Sequence, residues 1–232
     1  MLELFQAAII DPFRIILALG PVGIYLLVLG AVNLSRRPLL VTNGRDAAAL
    51  ALALTGMLIV GPFELFLPQA TVVRYGPYVW VMVLAFYFLC VTMGILMLRP
   101  RLVIYNISVD KLRPILADAV ARLDNDARWA GDSLVLPNLG VQLSIDNFPP
   151  MRNVLLKSVG ANQDLHGWRR LERVLAPALS REEVSRNFRG LVLFFAGLLI
   201  LAGLAPVIAS DPHAITKSLT NLADAVLQML NL

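Results

Sequence analysis

Four long apolar runs, the second interrupted only by Glu64, constrain this chain more than any motif in it: Ile15 to Leu34, Ala47 to Leu67, Tyr75 to Leu98, and Gly190 to Ala209. A helix rising 1.5 Å per residue needs about 20 residues to cross about 30 Å of hydrocarbon, and each run reaches that length. The composition agrees, with 58% apolar and only 16% charged residues, against roughly 25% charged in a soluble domain. The expected fold class is an α-helical membrane protein with four transmembrane helices, an inserted cytosolic α+β sandwich domain (an antiparallel sheet with two helices on one face) and a C-terminal amphipathic helix.

Helix-end chemistry punctuates the runs. Asp11-Pro12 supplies an N-cap and a first-turn proline, Asn43-Gly44 reads as a turn before a helix capped by Asp46, and Gly76-Pro77 opens the third run. Ser180-Arg181-Glu182-Glu183 fits a capping box and predicts one continuous helix that starts in water and enters the bilayer. The first run reads as a retained helix rather than a secretory leader, because Arg36 and Arg37 follow it and no Ala-x-Ala site precedes them. The expected divisions are 1–99, a three-helix membrane region with a short N-terminal amphipathic segment; 100–182, the α+β domain; 183–209, the fourth membrane helix; and 210–232, the amphipathic tail.

Basic residues set the expected orientation. Arg36, Arg37 and Arg45 lie in the first loop, and Arg99, Arg101, Arg181, Arg186 and Arg189 flank the membrane between the third and fourth runs, while the second loop has only Arg74. Cytoplasmic loops carry such excesses, which places both termini outside and the 100–182 domain in the cytosol. Much Ala, Leu and Arg with little Lys fits a bacterial inner membrane. A net charge of +4 with interspersed signs gives no nucleic-acid footprint.

Periodicity changes abruptly after Arg99-Pro100-Arg101. Leu102 to Ile107 reads as a strand, and Ser108 or Asp110 can cap a helix running to Leu123 with Pro114 as a kink or later start. Gly131-Asp132 marks a hairpin with glycine first, Val141, Leu143 and Ile145 alternate with polar residues, and Val154 to Val159 forms a last strand. A closing helix from Gln163 to Leu179 is expected to bury Leu165, Trp168, Leu171, Leu175 and Leu179 and to leave Arg169, Arg170 and Arg173 outward. Both helices then cover one sheet face, and the other stays open. After Asp211-Pro212, Ile215, Leu219, Leu222, Val226 and Met229 follow a heptad seam suited to a protein partner or the lipid surface.

Reactive constellations are scarce. One cysteine and two histidines exclude a disulfide framework and a multi-thiolate metal site, no phosphate-cradling glycine loop or nucleophile motif occurs, and no cofactor is expected. Glu64, inside the second run between Pro62 and Pro68, is either an intramembrane ion or proton site or a snorkelling carboxylate paired with Arg74. Arg169, Arg170 and Arg173 form either a membrane-surface basic cluster or a solvated face. Asp124 and Asp126 read as turn formers. Small residues, Gly23, Gly30, Ala49, Ala53, Gly190, Gly197 and Gly203, suit close helix packing. The functional expectation is a noncatalytic membrane scaffold or accessory subunit that contacts lipids and other membrane subunits or copies of itself. An oligomeric transport component using Glu64 is the alternative, and a lipid-modifying enzyme ranks last.

Overall fold

The structure is a computed structural model, and it describes residues 12–63, 78–161, 163–210, and the helical positions 216, 220 and 224. Its elements run α1 (Pro12–Leu34), β1 (Leu39–Thr42), α2 (Asn43–Leu58, continued by a π-helical turn Ile59–Phe63), α3 (Tyr78–Met97), β2 (Arg101–Tyr105), α4 (Val109–Leu123), β3 (Arg128–Ala130), β4 (Ser133–Leu136), β5 (Val141–Phe148), β6 (Asn153–Ser158), α5 (Leu165–Ser180) and α6 (Gly190–Ser210). Among the described residues, three helices are long and apolar enough to cross a membrane, Phe13–Leu34, Asn43–Gly61 and Gly190–Ala209, and Val81–Met97 is a shorter apolar helix. The chain is therefore an α-helical protein with at least three helices suited to a bilayer and one antiparallel sheet.

The described residues fall into two compact units, one within 28–49 and 94–194, the other within 1–27, 50–93 and 195–232. In the second of these, helices meet through small residues. A Cβ added to Gly197 would lie 2.7 Å from the Gly23 carbonyl oxygen and 2.8 Å from the Leu27 amide. Gly56 approaches the Leu17 carbonyl so closely that no side chain fits. Side chains facing away from these contacts are large and exposed, as at Leu199 (74%), which is the pattern lipid-facing helices require. The Tyr87 hydroxyl donates to the Ala51 carbonyl at 2.8 Å, which satisfies a polar tip inside an apolar bundle.

The other unit is built on a six-stranded antiparallel sheet in the order β1-β2-β6-β5-β4-β3. Alternation makes it two-faced: Val141, Leu143 and Ile145 of β5 are buried, and Gln142, Ser144 and Asp146 are not. Register continues that face across the sheet, because Leu156 pairs with both Leu102 and Ile145. Against it lie Leu112, Leu116, Ala119 and Val120 of α4 and Trp168, Leu171, Leu175 and Leu179 of α5, all in one hydrophobic cluster. Both helices therefore share a sheet face. The hairpin between β3 and β4 turns at Gly131, whose φ of +62° disfavours a side chain.

Several sequence expectations give way. The strands are not confined to 100–182: β1 comes from the first loop and pairs Leu39 with Tyr105, Leu40 with Ile104, Val41 with Val103, and Thr42 with Leu102. Asn43-Gly44 is not a turn but the start of α2, which follows β1 without a connecting residue. Asp46 accepts the Tyr105 hydroxyl at 2.5 Å, so its carboxylate ties helix to sheet.

The expected helix from Ser180 into the bilayer is also broken, because α5 ends at Ser180 and α6 starts at Gly190. The Ser180 hydroxyl donates backward to Pro177 O at 2.9 Å instead of capping forward. The intervening backbone pairs elsewhere, Val184 N with Arg36 O at 2.8 Å and Asn187 N with Asn33 O at 3.1 Å. α4 starts at Val109, ahead of Pro114 rather than at it, with Ser108 as an N-cap residue that makes no side-chain cap bond. Leu165, expected in the core, is 60% exposed because it is the first residue of α5 and the buried stripe begins at Gly167.

Candidate functional site

The segment 33–46 is held on several sides by the sheet unit, and that clamp builds the site. Asn106, at a left-handed φ of 60°, sends its amide nitrogen to Ser35 O at 2.6 Å. Asn and Asp adopt that conformation more readily than other side chains, and this one gains a buried bond there. Asn43, buried at the start of α2, donates to Arg99 O at 3.4 Å and accepts from Arg101 Nε. Arg152 carries the same left-handed strain at φ 52°, and its guanidinium reaches Ser185 O and Oγ at 3.0 Å each, holding the 181–189 connection against the sheet.

These contacts bring distant arginines together. A cavity of about 410 Å³ opens between the start of α2, the end of α3 with the start of β2, and the first two turns of α5. Arg45, Arg99, Arg101 and Arg169 line it, and among the described residues Glu172 is the one carboxylate there. Glu172 sits 3.7 Å from Arg45 in a bridge whose arginine side chain is 77% exposed, so the pair is screened and weak. Ile95, Leu96, Leu98 and Leu165 form the apolar part of the wall. Trp168 lies at the cavity floor, 4% exposed within the core, with its indole N–H given to Gln163 at 2.9 Å.

The three arginines singled out on α5 separate here. All are exposed, but only Arg169 lines the cavity; Arg170 and Arg173 do not. His166 is exposed too, and its backbone N–H is taken by the Asp164 carboxylate at 2.8 Å, which makes Asp164 the cap of α5. Glu64 and Arg74 lie outside the described residues, as do Ile215, Leu219, Leu222, Val226 and Met229. Thr216, Thr220 and Asp224 are helical and exposed.

Other candidates resolve into structural roles. Asp124 is 3% exposed and accepts from Asn138 N at 2.9 Å, Asn138 Nδ2 at 2.7 Å and Asp126 N at 3.0 Å, which makes it the fastener of its turn. On the second sheet face, the Lys157 ammonium hydrogen-bonds to Asp146 and holds that carboxyl below its ordinary range. That face is closed at β2, where Val103 and Tyr105 are buried, and exposed at Leu39 and Phe148. Among the described residues, no group of three or more His, Cys, Asp or Glu is placed to hold a metal ion.

The arginine cavity was hidden in the sequence because its four cations come from three separated stretches. The one signal for it was Leu39-Leu40-Val41-Thr42, a β-prone run between Pro38 and Asn43-Gly44. Read as a strand, it would have drawn Arg45 toward Arg99 and Arg101. The chain matches no protein-family model, no curated protein and no solved structure.

Proposed function

We propose that this protein is a noncatalytic multi-pass membrane scaffold or accessory subunit, with four spans, both termini outside and its sheet domain on the cytosolic side of a bacterial inner membrane. The observation that carries the topology is the pairing of β1 with β2. Those strands belong to the loops after α1 and after α3, so both loops occupy one side of the bilayer. If Asn43–Gly61 crosses, Tyr78–Met97 must cross back, which supports it as the fourth span. Arg36, Arg37, Arg45, Arg99, Arg101, Arg181, Arg186 and Arg189 all lie in the unit that holds the sheet, and their excess supports the cytosolic side.

The scaffold role draws on the way two loops and the 181–189 connection lock into one small domain with exposed surfaces of its own. The tail seam from Ile215 to Met229 is the proposed contact for another subunit or a second copy. The mass of the assembly purified in mild detergent, with and without residues 211–232, tests this. A stoichiometric partner or a tail-dependent oligomer is expected, and a lone chain indifferent to the tail removes the scaffold reading.

One observation favours a second reading, a transport component. The π-helical turn Ile59–Phe63 ends just before Glu64, and such turns recur at functional sites because they widen the helix and free backbone groups. Glu64→Gln would then abolish ion- or proton-coupled flux in proteoliposomes while leaving assembly unchanged. Under the scaffold reading it changes neither.

A further inference from the structure

The arginine cavity joins two chemistries that rarely share a wall. Among the described residues its cations outnumber its carboxylates four to one, and the apolar side is the exposed end of a shorter apolar helix, where Leu96 is 78% exposed. Arg101 is engaged by Asn43 and Arg45 by Glu172. Among the described residues, Arg99 and Arg169 have no carboxylate partner, and their exposed guanidinium groups are free to bind a ligand. The first turn of α2, a helix of 16 residues, lines the same space at Asn43, Gly44 and Arg45 and adds the positive end of its dipole. Guanidinium pairs match the geometry of phosphate oxygens, and exposed aliphatic side chains beside them match an acyl chain. Soluble anions have no use for that second wall.

We infer that the cavity is a headgroup site for an anionic phospholipid: Arg99 and Arg169 hold the phosphate, Arg45 and the start of α2 add long-range attraction, and the acyl chain lies along Ile95, Leu96 and Leu98. Leu165, exposed at the start of α5, completes the apolar rim. The site rests on Tyr78–Met97 lying in the membrane but not on the scaffold role, since lipid retention is read on the chain whatever co-purifies with it.

Native mass spectrometry of the full-length protein in detergent, titrated with palmitoyl-oleoyl phosphatidylglycerol, tests the assignment, with the phosphatidylcholine of the same chains and inorganic phosphate as parallel arms. Phosphatidylglycerol is expected to bind more tightly than phosphatidylcholine, and R99Q/R169Q to lose about thirtyfold of that affinity, given the worth of two basic residues beside an anionic lipid. The double variant R99K/R169K should recover part of the loss, and R170Q/R173Q, which removes as much charge but from α5 alone, should bind as the wild type does. Equal losses in R99Q/R169Q and R170Q/R173Q would mean diffuse surface charge and overturn the site. Equal binding of the two lipids would also overturn it, and displacement of the lipid by equimolar inorganic phosphate would make it a free-anion site instead.

Discussion

The glycine seam between α1 and α6 and the leucine core of the sheet domain solve the packing problem in opposite ways. In the domain, water drives association: Leu112, Leu116, Leu134, Leu143, Leu156 and Leu171 are fully buried, and large side chains fill the space between helices and sheet. Along the seam there is little such drive, because a leucine facing lipid is already in an apolar solvent. Backbones approach instead. A Cβ on Gly30 would meet the Phe194 amide nitrogen at 2.6 Å, and one on Gly190 would meet the Asn33 Cβ at 2.6 Å. The most tightly packed residues are therefore the largest in one region and the smallest in the other, so the same substitution has opposite consequences in the two.

Truncation should hurt the domain most. Leu156→Ala, at a fully buried position on the central strand β6, is expected to cost about 3 kcal/mol through lost transfer energy and a residual cavity, read as a lowered thermal midpoint in detergent. Enlargement should hurt the seam. Gly30→Leu forces backbone apart at Phe194 and is expected to cost about 2–3 kcal/mol, whereas Gly203→Leu, with nothing within 4 Å of its Cβ, should change stability by less than about 0.5 kcal/mol. Equal effects of the two glycine changes would break the comparison, because the seam would then not depend on close approach.

Between these regimes stand the polar ties of the clamp. Tyr105→Phe removes the hydroxyl given to Asp46 and should cost about 1 kcal/mol. Hydrogen exchange would sharpen the result by showing faster exchange at β1 than at β5, since β1 is an edge strand held on one side.

The smallest effect belongs to Asp146. Its carboxyl is lowered from the ordinary 3.8, first by the hydrogen bond from Lys157 and then by that residue's charge. A lowered carboxylate stabilises the folded state above the unfolded value and loses that contribution as pH falls from about 3.8 through the folded value. The pair is half-exposed, so the contribution at neutral pH is below about 0.5 kcal/mol. Wild type should slightly exceed Asp146→Asn in thermal midpoint at pH 7, and the gap should close below about pH 4. A gap that widened in acid would reverse the assignment.

Much of the domain was legible because its signals are local. The alternation in β5, the glycine hairpin at Gly131 and the apolar stripe of α4 and α5 are each written within fewer than 20 residues, where periodicity directly reports which side meets water. Boundary chemistry was read less well. Ser180-Arg181-Glu182-Glu183 has the residues of a capping box, but backbone groups of 184 and 187 found partners at Arg36 and Asn33, and those tertiary bonds outcompeted a local cap. Asn43-Gly44 has the residues of a turn, but β1 delivered the chain to α2 already in position.

By itself the sequence determined that apolar helices long enough for a bilayer alternate with a two-faced α+β domain, because hydrophobic length and period are properties of contiguous residues. Only the tertiary structure decided that Leu39–Thr42 becomes the sixth strand and that Arg45, Arg99, Arg101 and Arg169 share one cavity. A four-residue edge strand has almost no period of its own, and its identity lies in the register it finds across some 60 intervening residues at Leu102–Tyr105; that pairing is a contact energy between distant segments, which no local pattern encodes.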